Sequence, residues 1–244
     1  MKICLAQIRP HKGDIMLNLE NHHKLVDMAL PHEIDVMVFP ELSVTGYEPE
    51  LAESLKIAQD DDRFDFLQTL CDRFGLTLGI GAPVPVQHGC GIGMVVFQPR
   101  HVRNTYVKKY LHESETPYFL SHESFTGLVG PQKNIGLGIC YEMTIDDHSD
   151  TLATKGAKYY INSSVKSQVS LERSYQRMSQ IAKKHRIKTF LSNSVGKTGP
   201  YDSVGGSAVW DEDGSLLLSM DHYSEGILIY DTKTGQSVIH LLNP

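Results

Sequence analysis

Short apolar runs alternate with amphipathic stretches along all 244 residues. Runs rich in β-branched and aromatic residues, bounded by turn formers, predict strands. They fall at 2–8, 35–39, 77–84, 93–98, 102–108, 134–139, 157–163, 188–193, 205–210 and 226–231. Three- and four-residue spacing predicts helices over 15–30, 60–74, 146–155 and 170–186. In the last of these, Leu171, Tyr175, Met178, Ile181, Ala182 and His185 form one apolar stripe. Asp14 is the expected cap of the first helix and Ser170 of the last, where Arg173 stands in place of a capping-box acid. The stretches DEDG at 211–214 and DTKTG at 231–235 predict hairpin turns.

The N-terminal part therefore reads as β–α units, and the part from about residue 188 as strands joined by turns. No linker, repeat or low-complexity tract interrupts the chain. This predicts one domain over 1–244, with a β core and helices outside.

Composition narrows the function classes. Apolar residues make up 41% and charged residues 21%, ordinary values for a soluble globular protein. A net charge of −6 disfavours a nucleic-acid partner. No apolar run approaches the ~18 residues of a membrane span, and the first apolar stretch is too short for a signal peptide. The four cysteines, Cys4, Cys71, Cys90 and Cys140, form no C-x-x-C pair and are expected as reduced thiols of a cytoplasmic protein. The 12 histidines are dispersed without ligand spacing, so no metal site is expected.

Three groups of contrasting chemistry sit at predicted strand ends. Glu41 follows VMVFP, Lys108 closes VRNTYVK, and Cys140 follows NIGLGI. Taken singly, each has an ordinary reading as a loop acid, a lysine snorkelling off a strand, and a buried core thiol. Lys109 would point to the opposite face if the strand continued, so only one of the two lysines can serve. Together they suit acyl transfer. A thiol is a strong nucleophile once a base takes its proton. A carboxylate can be that base, and an ammonium can lower the thiol pKa and hold an oxyanion.

In FPELSVTGY, YVKKYL and GICYE, in that order, the chain resembles the nitrilase superfamily of carbon–nitrogen hydrolases. The resemblance spans nearly the whole chain and implies an α/β fold, a four-layer αββα sandwich. It implies a Glu41–Lys108–Cys140 triad, with Glu115 of ETPYF positioned near the lysine and Glu113 as its competitor. It further implies oxyanion or substrate contacts from Tyr141 and Glu142, a small-molecule amide as substrate, no metal or organic cofactor, and a homodimer or larger homo-oligomer; Lys166 is a further candidate substrate contact.

Amide hydrolysis ranks first, N-carbamoyl amide hydrolysis second and nitrile hydrolysis third, because Tyr141 stands where nitrilases commonly carry tryptophan. The alternative from another class is a catalytically idle binding or scaffold protein. Many branches carry an arginine soon after the cysteine; here Asp146, Asp147 and Asp150 follow instead, and no arginine precedes Arg173. Lys166 could replace that arginine as a point charge for a substrate carboxylate. The three aspartates are expected to cap and solvate a helix, with contact to a cationic substrate as the other reading.

Overall fold

Side-chain alternation along the strands builds the layers. The computed structural model describes residues 1–122 and 128–242. Seven strands form the first sheet: β1 (Lys2–Gln7), β2 (Val36–Val38), β3 (Thr77–Val86), β4 (Gly89–Phe97), β5 (Asn104–Val107), β13 (Gly226–Asp231) and β14 (Ser237–Leu241). Their order is β14-β13-β1-β2-β3-β4-β5, with β1, β2 and β3 parallel. The second sheet holds β6 (Ile135–Ile139), β7 (Tyr159–Ser164), β8 (Lys188–Asn193), β11 (Ala208–Trp210) and β12 (Leu216–Ser219). Its order is β12-β11-β8-β7-β6, and β6, β7 and β8 are parallel. A separate hairpin pairs β9 (Val195–Thr198) with β10 (Tyr201–Val204).

Successive residues of a strand face opposite sides, and the buried clusters follow that period. Ile3, Leu5, Val36, Val38 and Met94 of the first sheet pack against Leu137, Ile161, Phe190 and Val209 of the second. Their neighbours Cys4, Ala6, Met37 and Leu78 point outward, onto Leu19, Leu25 and Val26 of α1 (Ile15–Ala29) and onto Leu67 and Cys71 further along the chain. On the far side, Tyr160, Leu191, Ala208 and Trp210 meet Leu152, Leu171, Met178 and Ile181. These are the four layers of an αββα sandwich, as expected. The remaining helices are the one-turn α2 (Ala52–Leu55), α3 (Asp65–Phe74), α4 (Asp146–Thr154) and α5 (Gln168–His185).

Asp14 caps α1 through its Oδ1, which accepts the Leu17 N–H at 3.1 Å. Both predicted hairpins form, β11–β12 and β13–β14. Several expectations need correction. The last helix starts at Gln168 behind Ser167, and the Ser170 hydroxyl instead donates to the Ser167 carbonyl at 3.0 Å. The helix predicted over 60–74 opens with a 3₁₀ turn at Asp62–Phe64. The strand predicted over 205–210 shortens to β11, because Gly205 and Gly206 take φ of 59° and 70°. Strands β9, β10, β12 and β14, and α2, lie outside the predicted elements. Strands β12 and β14 are sheet edges whose residues remain half-buried or exposed, so they lack the buried alternation that marks a strand.

Candidate active site

Glu41 lies in the tight turn after β2. Phe39 N–H donates to the Gly79 carbonyl at 2.9 Å and Val44 N–H to the Gly81 carbonyl at 3.0 Å, so the turn is laced to β3. Leu42 has φ 52°. The approach is so close that a Cβ on Gly81 would stand 2.4 Å from both the Leu42 nitrogen and the Pro40 oxygen. From behind, His22 of α1 stacks on Phe39 at 4.2 Å. Its Nδ1 donates to the Asn18 carbonyl at 2.6 Å, which leaves Nε2 to accept from the Ser43 hydroxyl at 2.9 Å.

Lys108 sits one residue beyond β5, with its N–H held by the Ile92 carbonyl at 2.8 Å. Its ammonium is fully buried between two carboxylates, donating to Glu41 Oε1 at 2.8 Å and to Glu115 Oε1 at 2.6 Å. Glu115 also accepts the Tyr47 hydroxyl at 3.0 Å on Oε1 and the His112 N–H at 2.7 Å on Oε2. Its competitor Glu113 is exposed. The strand ends before Lys109, which is exposed. The second oxygen of Glu41, Oε2, is buried and has no hydrogen-bond partner among the described residues. A buried carboxylate oxygen left unmatched carries a desolvation cost, and such an atom calls for a functional reason.

Cys140 follows β6 at the opening of a 3₁₀ turn, Cys140–Thr144. It has φ 45°, in the region where a side chain strains the backbone. Gly138 makes room beneath it, since a Cβ there would come within 2.3 Å of the Tyr160 hydroxyl. Tyr141 is half-buried and meets the His112 ring edge-on at 5.2 Å. Glu142, expected beside the substrate, is instead fully buried and committed elsewhere. Its Oε1 accepts the N–H groups of Lys109 at 2.7 Å and Tyr110 at 3.3 Å; its Oε2 accepts Ile139 N–H at 2.9 Å and the Tyr106 hydroxyl at 2.5 Å. That carboxylate clamps the segment after Lys108 to the turn that carries Cys140. Lys166, beyond the end of β7, is buried, with its N–H on Asn193 Oδ1 at 2.8 Å.

The charges act on one another. Burial pushes the Glu41 carboxyl above its usual range, against the pull of Lys108. Burial alone would lower Lys108, but Glu41, Cys140 and Glu115 outweigh it and hold its proton firmly. The thiol differs from expectation. Burial and the Glu41 carboxylate raise the Cys140 pKa, and the opposite pulls of Lys166 and Lys108 do not overcome them. The free site therefore holds a protonated thiol. A thiol proton passed to Glu41 stays within the same buried cluster, so the transfer adds no net charge there. Two of the three aspartates after Cys140 are paired elsewhere: Asp146 with Arg177, and Asp150 with Lys184 at 2.6 Å and His185 at 3.0 Å.

Tyr47 is the site residue that the sequence reading missed. It belongs to the SVTGY stretch, and its ring stacks edge-on with Tyr201 at 5.2 Å. Spacing carries no sign of a contact across 68 positions to Glu115.

Paired sheets flanked by helices, with a thiol, a carboxylate and an ammonium at strand ends, define a class, the nitrilase-type sandwich. The NitN amidase of Nesterenkonia sp. AN1 shares the fold with a TM-score of 0.84 at 21% identity, over 95% of this chain and 92% of that one. A mutant of that amidase in complex with butyramide matches with a TM-score of 0.83 at 20% identity, over 94% and 89%. Saccharomyces cerevisiae Nit3, a member of branch 10 of the nitrilase superfamily, gives 0.84 at 20% identity, over 94% and 88%. An (R)-stereoselective amidase from Pseudomonas sp. is 26% identical over 163 residues, 66% of this chain; the match spans only 59% of that amidase's length. The sequence profile of the carbon–nitrogen hydrolases matches residues 2–237, and the chain belongs to the carbon–nitrogen hydrolase family.

Proposed function

We propose that the protein is a thiol-dependent amidase that converts a small-molecule amide to a carboxylic acid and ammonia or an amine. The observation that carries this reading is the buried Oε2 of Glu41, without a hydrogen-bond partner among the described residues, in a cluster whose charges act on the Cys140 thiol. Glu41 takes the thiol proton as Cys140 Sγ bonds to the amide carbon and the carbonyl π electrons move to oxygen. The oxyanion is held by the Lys108 ammonium and a backbone N–H, that of Tyr141. Glu41 returns the proton to the departing nitrogen, the C–N bond breaks, and a thioester remains on Cys140. Glu41 then draws a proton from water, whose oxygen attacks the thioester and frees the acid and the thiol. Glu115 and Tyr47 keep Lys108 aimed, and Glu142 keeps Lys108 and Cys140 in step.

The test is intact-mass measurement after mixing the protein with a panel of amides. An acyl mass on Cys140, with release of ammonia or amine and no mass gain in Cys140→Ala, is the expected result. No adduct and no released amine from any amide overturns the proposal.

A further inference from the structure

Lys166 is the one charged group of the cluster that the mechanism above leaves unused. Its residue is only 9% exposed. Among the described residues no carboxylate lies within ion-pair distance of its Nζ, and no hydrogen bond is made there. Lys108, also buried, has two carboxylates in contact. The backbone of Lys166 is fixed on both sides. Its N–H is held by Asn193, and its carbonyl accepts Val204 N–H at 3.1 Å and the Ser203 hydroxyl at 3.2 Å. The register of β6 and β7 sets Ile139 opposite Ser163, so the chain after each strand emerges side by side, with Cys140 on one and Lys166 on the other. Its charge is felt at both Glu41 and the thiol. An ammonium on a mostly buried residue, with no carboxylate beside it among the described residues, is a ready partner for an anion that a ligand supplies. The aspartates nearer in sequence to Cys140 cannot supply it, because α5 already pairs with two of them.

Resting on the amidase reading, we propose that Lys166 is a specificity residue that selects amides bearing a carboxylate. The carboxylate can belong to the acyl half, as in a monoamide of a dicarboxylic acid, or to the leaving half, as in an N-acyl amino acid.

Two matched pairs distinguish the sources: succinamate against butyramide, and N-acetylglycine against N-propylacetamide. The reading is the ratio of kcat/KM within each pair, because any effect of Lys166 on the thiol itself depresses both members and cancels. In the wild-type protein the carboxylate member of one pair is expected to be favoured at least about tenfold. Lys166→Met should lower that ratio by about 10–10²-fold, the value of one charge-assisted contact, and Lys166→Arg should restore part of it. Equal or faster turnover of both neutral members by the wild-type protein overturns the proposal without any variant. So does a ratio unchanged in a folded Lys166→Met protein. If no amide acylates Cys140, the amidase reading fails separately, and calorimetry with succinate still reads the site. Binding weakened about 10-fold or more by Lys166→Met supports the proposal, and no binding to the wild-type protein overturns it.

Discussion

The two sheets contribute unequal halves to the site. The seven-stranded sheet and the turns after it bring Glu41, Lys108 and Glu115, all buried and joined by hydrogen bonds of 2.8 Å and 2.6 Å. The five-stranded sheet brings Cys140 on a strained backbone, half-buried, together with the unpaired Lys166. One half is a closed ionic lattice whose members specify each other's positions. The other is open only in the sense that its thiol is half-buried and its lysine has no carboxylate partner among the described residues. Fixed charges do most for a reaction when they need not reorganise, whereas a nucleophile must be reachable. The asymmetry follows from these two requirements.

The largest test of this contrast is removal of the thiol. Cys140→Ala should lower turnover by about 10⁴-fold or more and leave the melting temperature nearly unchanged, because no ionic partner is lost. A large loss of stability would mean that the open half is as locked as the other.

Glu41→Gln should cost about 10²–10⁴-fold in amide turnover, and it carries a second readout of opposite sign. Burial comes first among the causes that raise the thiol pKa and the Glu41 carboxylate second, so loss of the carboxylate brings the pKa down while burial and Glu115 still oppose Lys166 and Lys108. Iodoacetamide should then modify Cys140 faster near neutral pH than in the wild type, where the rate keeps climbing as the pH passes the usual thiol value of 9.0. Slower alkylation in the variant would contradict the charge arrangement.

Lys108→Met should lose about 10²–10³-fold in rate. It should also cost about 3–5 kcal/mol in urea unfolding, since it strands two carboxylates in a buried site. Rate loss without destabilisation would show that water already reaches the lattice.

His22 supports the same half from behind, and burial pushes its pKa down to about 4. Between about pH 6.5 and 4 the unfolded chain takes up a proton that the folded protein refuses. Stability present above about pH 6.5 should therefore fall by about 3 kcal/mol through that window and then level off. His22→Gln should flatten this part of the pH profile in denaturant titrations. The smallest effect concerns the open half: Cys140→Gly should be about 1 kcal/mol more stable than Cys140→Ala, because glycine accepts φ 45° without strain.

The residues alone predicted a β core with helices outside and the chemical types of the site, because both rest on local signals; the four layers came from the family resemblance. Ile3, Cys4, Leu5 and Ala6 form one continuous apolar run that marks a strand buried on both faces, and Glu41, Lys108 and Cys140 each stand at the end of a recognisable apolar strand. What it missed depends on contacts between distant segments. Nothing local tells that Tyr47 reaches Glu115, or that Glu142 turns away to collect N–H groups from a segment more than thirty positions earlier. The direction of the thiol shift also eluded it. An adjacent ammonium is visible in the chain, whereas the depth of burial that outweighs it belongs to the folded protein. Strands β9 and β10 escaped because four-residue pieces carrying Lys197 and Asp202 offer no apolar run.

Anyone reshaping this catalyst by random mutagenesis will find two codons closed. At Gly81 even a methyl group collides with backbone atoms on either side of Glu41, and at Gly138 it collides with the tyrosine beneath Cys140. Libraries that leave both glycines alone and vary the positions around Lys166 keep intact the turns that carry Glu41 and Cys140.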